Sequence, residues 1–234
     1  MKKASVLGIL GGLGPMSSAY FYELLIAHTD AACDQDHIDL VLSSRATTPD
    51  RTGYILHKSC ENPVQTMISE AQKLVRYGAD LIVIPCNTAH FFYDELHAAI
   101  HVPMLNIIEE TVRQAHTIGA EKIGILATDG TIQTQTYQRY SQKYGMECIV
   151  PNPDEQKEIM DIIYGAVKSG KEPNLKAFQS VGDSLLQRGA DRIVLGCTEL
   201  SLINKNHPLG EKYIDSLLML AKATIIACGK KYIR

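Results

Sequence analysis

The sequence predicts an α/β fold of two similar, doubly wound parallel-sheet domains related by pseudo-twofold symmetry. Three observations predict it. Short apolar runs alternate with longer amphipathic stretches along the whole chain, which is the signature of strand–helix–strand units. The apolar runs seldom alternate with polar residues, as befits strands buried on both faces. One block of chain also recurs about half a chain length later, which points to two related units instead of a solenoid of short repeats.

In order, residues 6–10 form the first strand. The opening MKKASVLGILGG has the basic start and apolar stretch of a signal peptide, but the stretch runs straight into a Gly-rich turn and reads as a strand. A helix over 17–29 follows, with Tyr20, Phe21 and Tyr22 as its core side chains. Further apolar runs predict strands at 38–42, 81–84, 104–107, 123–126, 148–150 and 193–195. The amphipathic segments between them predict helices at 63–77, 111–118, 133–144, 154–168 and 175–188. Nothing is low-complexity, and no linker is long enough to be flexible.

The repeat is specific. GADLIVIPC, Gly78 to Cys86, matches GADRIVLGC, Gly189 to Cys197, at a constant offset of 111. Upstream, Gly8-Ile9-Leu10 is echoed by Gly124-Ile125-Leu126; downstream, Pro103-Met104-Leu105-Asn106 is loosely echoed by Lys212-Tyr213-Ile214-Asp215. A glycine that closes a helix before a strand makes short GAD strings common in such folds. Three echoes in the same order are a stronger signal than one.

Composition narrows the function. With 45% apolar residues in a chain of 234, a substantial core forms. The balance of 23 Lys and Arg against 26 Asp and Glu leaves no basic excess, so nucleic acid is excluded as the expected partner. The longest apolar runs reach about 5–8 residues, well under the roughly 20 a membrane span needs. Six cysteines, at 33, 60, 86, 148, 197 and 228, show no CxxC spacing, so free thiols in a reducing, cytoplasmic setting are expected.

Two of those cysteines stand at equivalent places. Cys86 and Cys197 each follow a buried strand, with a helix beginning just beyond. In parallel sheets the carboxyl ends of strands are where ligands bind. Thr and Asn there are suited to cap the helix, and its exposed amides attract a carboxylate and lower a thiol pKa. Pseudo-twofold symmetry would set the two cysteines on opposite walls of one cleft between the domains. Racemisation needs that arrangement: one thiolate removes the Cα proton and the opposite thiol supplies one to the other face. The carbanion needs hydrogen-bond donors, and Asn87, Thr88 and Thr198 lie beside the sulfurs.

With these motifs, PCNTAH (85–90), GCTEL (196–200) and GILGGLGP (8–15), the chain resembles the aspartate/glutamate racemases that work without pyridoxal phosphate, and within them the aspartate racemase branch. PDRTGYI (49–55), LATDGT (126–131) and DEQKEIMDIIYGAVKSG (154–170) extend the resemblance over nearly the whole chain. It implies a homodimer of two-domain chains, the first domain formed by 1–103 plus 212–234 and the second by 104–211. It implies Cys86 and Cys197 as the acid/base pair, no cofactor, and an acidic amino acid as substrate. Asn87, Thr88, Thr128 and Thr198 would bind the α-carboxylate and amine or line the pocket. Arg51 and Lys168 would engage the side-chain carboxylate, Asp50 would orient Arg51, and Glu199 would tune Cys197. A dicarboxylate needs a cationic partner, and Arg grips it as a fork. Leu13 replaces a Met frequent in the family. Glu199 and the GGLGPM turn argue against the cell-wall glutamate racemases, which carry a His after GCT and an early DSGxGG. With both cysteines present, action on both enantiomers is expected.

Other readings are weaker. A dinucleotide fingerprint starting at Gly12 breaks at Ser17, and Pro15 removes a donor. His90, His97 and His101 are spaced to share a partly exposed helix face, without a convergent further ligand for a metal; His90 is also within reach of Cys86. Cys33, Cys60, Cys148 and Cys228 read as structural. The rival functions are a broad-specificity racemase or related two-cysteine isomerase, a non-enzymatic two-lobed anion binder, and a redox switch joining Cys86 to Cys197.

Overall fold

The computed structural model describes residues 6–234. The chain divides into two compact units, Met1–Ile107 with Leu217–Arg234 and Ile108–Ser216.

In the first unit, β1 (Leu7–Gly11), α1 (Pro15–His28), β2 (Leu40–Ser44), α2 (Arg51–Ile55), α3 (Val64–Arg76), β3 (Leu81–Val83) and α4 (Tyr93–Ala99) follow in order. The sheet is parallel with strand order β2-β1-β3. In the second unit the order is α5 (Ile107–Thr117), β4 (Lys122–Leu126), α6 (Asp129–Gln133), α7 (Thr136–Gln142), β5 (Glu147–Ile149), α8 (Pro153–Met160), α9 (Leu175–Gln187), β6 (Arg192–Leu195), α10 (Thr198–Asn206) and β7 (Tyr213–Asp215). Its parallel sheet runs β5-β4-β6-β7. α11 (Ser216–Ala227) returns the chain to the first unit, where Thr29 and Tyr232 form an antiparallel bridge.

The repeated residues do the same jobs in both sheets. Gly78 and Gly189 end α3 and α9 at φ +99° and +96°, a backbone region that only glycine enters without strain. The aspartates that follow align the neighbouring strand: Asp80 accepts from the Val6 amide, and Asp191 accepts from the Glu121 and Lys122 amides. A methyl group on Gly8 would sit 2.5 Å from Ile82 Cδ1, and one on Gly124 2.7 Å from Ile193 Cδ1. Each glycine lets the adjacent strand and the helix above it close on the sheet. The downstream echo is equally concrete: the Ile82 amide bonds Pro103 O and the Ile193 amide bonds Lys212 O.

The structure corrects several boundaries. Residues 104–107 are not a strand; Met104 makes one isolated bridge to Ile82, and α5 takes over at Ile107. The echo of that segment in the second unit is a true strand, β7. The predicted 133–144 helix breaks at Gln135, which adopts φ +51° between α6 and α7. The 154–168 helix remains helical but loosens past Met160 into a π turn over Asp161–Ala166 and a 3-10 turn over Val167–Ser169. Of the three aromatic residues on α1, Phe21 alone is fully buried, while Tyr22 is exposed. Cys33 and Cys60 are exposed too, so the core does not use them. Among the described residues no helix is long and apolar enough to cross a membrane.

Candidate active site

Cys86 lies just past the carboxyl end of β3, buried against the core of the first unit. Its amide bonds back to Ile84 O at 2.8 Å, a tight turn about Pro85. Asn87 and Thr88, both buried, lead into a 3-10 turn over Thr88–Phe92 and then α4. The expected side-chain cap at Asn87 is not made. His90 is fully buried, not on an exposed helix face, and its Nδ1 lies 2.8 Å from Cys86 O.

Arg51 opens α2, and Asp50 caps that helix by accepting from the Gly53 amide at 2.6 Å. The carboxylate therefore fixes the turn that presents Arg51. Arg51 is 8% exposed, and its guanidinium donates to three main-chain carbonyls: Thr48 and Pro49 through one terminal nitrogen and Leu13 through the other. Its Nε has no hydrogen-bond partner, and no carboxylate among the described residues pairs with it. A buried cation without an anion is costly. Leu13 belongs to the Gly-rich turn before α1, and Ser17 Oγ on that helix is likewise buried without a partner.

In the second unit, Cys197 is the N-cap residue of α10, just past β6, with Thr198 and Glu199 buried in the first turn. Gly196 is needed here: a methyl group would lie 3.1 Å from Tyr137 and 3.2 Å from Leu126 O, which the Gly196 amide bonds at 2.7 Å. The Cys197 thiol donates to Glu199 Oε2 at 3.0 Å, and Lys168 Nζ donates to Oε1 at 2.6 Å. Burial, reinforced by the Glu199 charge, pushes the Cys197 thiol well above its ordinary value, with Lys168 opposing. The expected lowering at a helix start is therefore overturned here, because desolvation of the buried thiol, with the Glu199 charge added to it, outweighs the partial charge of the helix end. Lys168 rides on the 3-10 turn that follows the π turn. Thr128, past the end of β4, caps α6 through the Thr131 amide.

The family model described as Asp/Glu/Hydantoin racemase matches residues 10–224. The chain belongs to this family. The racemase is 32% identical over 229 residues to the broad specificity amino-acid racemase RacX of Bacillus subtilis, covering 94% of this chain and 96% of that one. It is similar in fold to Picrophilus torridus aspartate racemase, with a TM-score of 0.86, 29% identity, and coverage of 98% and 96%. An aspartate racemase homologue from Pyrococcus horikoshii is similar at a TM-score of 0.77, with 26% identity and coverage of 98% and 100%. The chain is thus an isomerase with amino-acid racemase activity.

Within the first unit, the strand-end Cys86 and the Arg51 turn are each built and buried. Within the second, Cys197, Glu199 and Lys168 form one hydrogen-bonded chain. Sequence reasoning missed the π turn that leads into the Lys168 turn, the Leu13 carbonyl that holds Arg51, and Gln156, which bonds Ala127 O and Asp129 beside Thr128. The Leu13 and Gln156 contacts have no single-sequence signal, because each is a meeting of residues far apart in the chain.

Proposed function

We propose that this racemase interconverts L- and D-aspartate without a cofactor, using Cys86 and Cys197 as its two acid/base groups. The observation that carries the reading is their equivalence: each is a buried thiol at the carboxyl end of the corresponding parallel strand in its own unit. In one direction Cys86 acts as the base and Cys197, whose thiol donates to a carboxylate, acts as the acid. The Cys86 thiolate takes the Cα proton. The electron pair left behind passes into the α-carboxylate as an enediolate, stabilised by donors around Asn87, Thr88 and Thr198. The Cys197 thiol gives its proton to the opposite face of the same carbon, and exchanged roles run the reverse reaction.

Arg51 supports aspartate as substrate, because a distal carboxylate supplies the anion that its buried guanidinium lacks. Lys168 supports a second reading, a broad-specificity racemase, since Glu199 already neutralises it and one cation fewer awaits the substrate. The homodimer and the remaining pocket assignments belong to the same proposal.

Incubation of L- and D-aspartate, alanine and leucine with the enzyme in heavy water, without added cofactor, tests it. Chirality loss with deuterium at Cα is expected for aspartate, and comparable rates on all three favour the broad reading. Cys86→Ala and Cys197→Ala each abolish racemisation; wild-type turnover by both removes the two-thiol mechanism.

A further inference from the structure

The His90 ring is buried completely and takes part in two directed hydrogen bonds, one at each nitrogen. Nδ1 is 2.8 Å from Cys86 O, and the Ile107 amide reaches Nε2 at 3.2 Å. A carbonyl only accepts and an amide N–H only donates, so the partners fix the tautomer: Nδ1 carries the hydrogen and Nε2 the lone pair. Burial holds the ring neutral, lowering its pKa to about 4 against the pull of the Cys86 and Leu105 carbonyls.

We propose that His90 is the positioning residue for Cys86. Its ring ties the Cys86 peptide to Ile107, the residue at which the chain leaves the first unit. The Cys86 backbone is then held on both sides, its amide by Ile84 O and its carbonyl by His90. Because the peptide bond is planar, pinning that carbonyl also fixes the direction of the Asn87 amide. Neighbouring contacts hold the ring in turn. Tyr93 stacks on it at a centroid distance of 5.9 Å and donates its hydroxyl to Met104 O, while His97 also stacks with Tyr93 at 5.7 Å. The same small cluster thus anchors the strand-end loop to the 104–107 segment. A misplacement of about 1 Å at an acid/base group costs about 10²-fold in rate, which sets the scale expected of His90.

The inference rests on reading Cys86 as an acid/base group, and the test separates the two. Measurements are kcat and KM for aspartate, and the alkylation rate of Cys86 by iodoacetamide from about pH 6 to pH 10, resolved by peptide mass. His90→Asn places an amide donor where Nδ1 sits and keeps the bond to Cys86 O. His90→Gln reaches the Nε2 position and serves the Ile107 amide only. The Asn variant is expected to keep kcat within about threefold and the parent alkylation profile. The Gln variant is expected to lose about 10²-fold in kcat with KM little changed and a displaced profile. Equal retention by both, or equal losses that follow melting temperature, overturns the assignment. Histidine 15N spectra of the unmutated enzyme provide a check that needs no variant: an Nδ1–H tautomer is expected, and an Nε2–H tautomer overturns it. Cys86→Ser serves as the control. Parent-like racemisation there sinks the thiol mechanism; its loss, with undivided His90 variants, sinks the positioning role alone.

Discussion

Glu199 accepts the Cys197 thiol hydrogen on one carboxylate oxygen and the Lys168 ammonium on the other, at 3.0 and 2.6 Å. The carboxylate raises the cost of forming a thiolate next to it, and the lysine offsets part of that cost. Glu199→Gln removes the charge and keeps the shape. The pH midpoint for alkylation of Cys197 is expected to fall. An unmoved midpoint would mean that burial alone sets the thiol.

Lys168→Met acts in the opposite direction. It deletes the cation that favours the thiolate and leaves Glu199 buried without its ionic partner, so the Cys197 midpoint rises. Because the lysine side chain is 25% exposed, the stability loss is about 1–2 kcal/mol, less than the 3–5 kcal/mol of a fully buried pair. Urea denaturation and site-resolved alkylation read the two effects separately.

Arg51→Lys keeps the charge and discards the fork. The lysine cannot serve Leu13 O, the Thr48 and Pro49 carbonyls and a carboxylate together. KM for aspartate is expected to rise about tenfold or more, equivalent to about 1.4 kcal/mol, with iodoacetamide reactivity of both cysteines unchanged. Unaltered aspartate kinetics would remove Arg51 from substrate binding.

Gly8→Ala forces a methyl group to within 2.5 Å of Ile82 Cδ1 and 2.9 Å of the Ala79 methyl. Overpacking of this kind costs about 1–3 kcal/mol. Ile82→Val removes the offending Cδ1, so the double variant should be more stable than the sum of the singles. A strictly additive melting series would contradict the proposed contact.

Two buried groups set the acid limb of stability in different windows. His90 is held neutral in the fold down to about 4, whereas it ordinarily protonates near 6.5. The unfolded chain therefore gains a proton first, and stability falls as pH drops from about 6.5 to about 4 at up to about 1.4 kcal/mol per unit. Glu70 is lowered from 4.5 to about 2, chiefly by its hydrogen bond from Lys73 and then by those from Arg45 and Ser43. Its contribution is complete above about 4.5 and disappears toward about 2. His90→Asn should flatten the upper window and Glu70→Gln the lower one in urea midpoints measured against pH.

Sequence alone fixes those features whose causes are local or periodic. The doubly buried strands, the Gly-capped helices before β3 and β6, the GAD repeat and the two strand-end cysteines all leave a mark on neighbouring residues. The motifs around them sufficed to identify the racemase family. Tertiary structure decided what depends on distant residues meeting. Leu13 and Arg51, His90 and Ile107, and Lys168 and Glu199 come together only after folding. The direction of the Cys197 shift belongs here too, because it reports first the burial of the thiol and then the Glu199 charge beside it, and burial is a property of the packed chain. Likewise, whether 104–107 or 213–215 became a strand turned on hydrogen bonds from the neighbouring strand. An apolar run states a preference for burial; only its partners determine whether that preference ends as a bridge, a strand or the first turn of a helix.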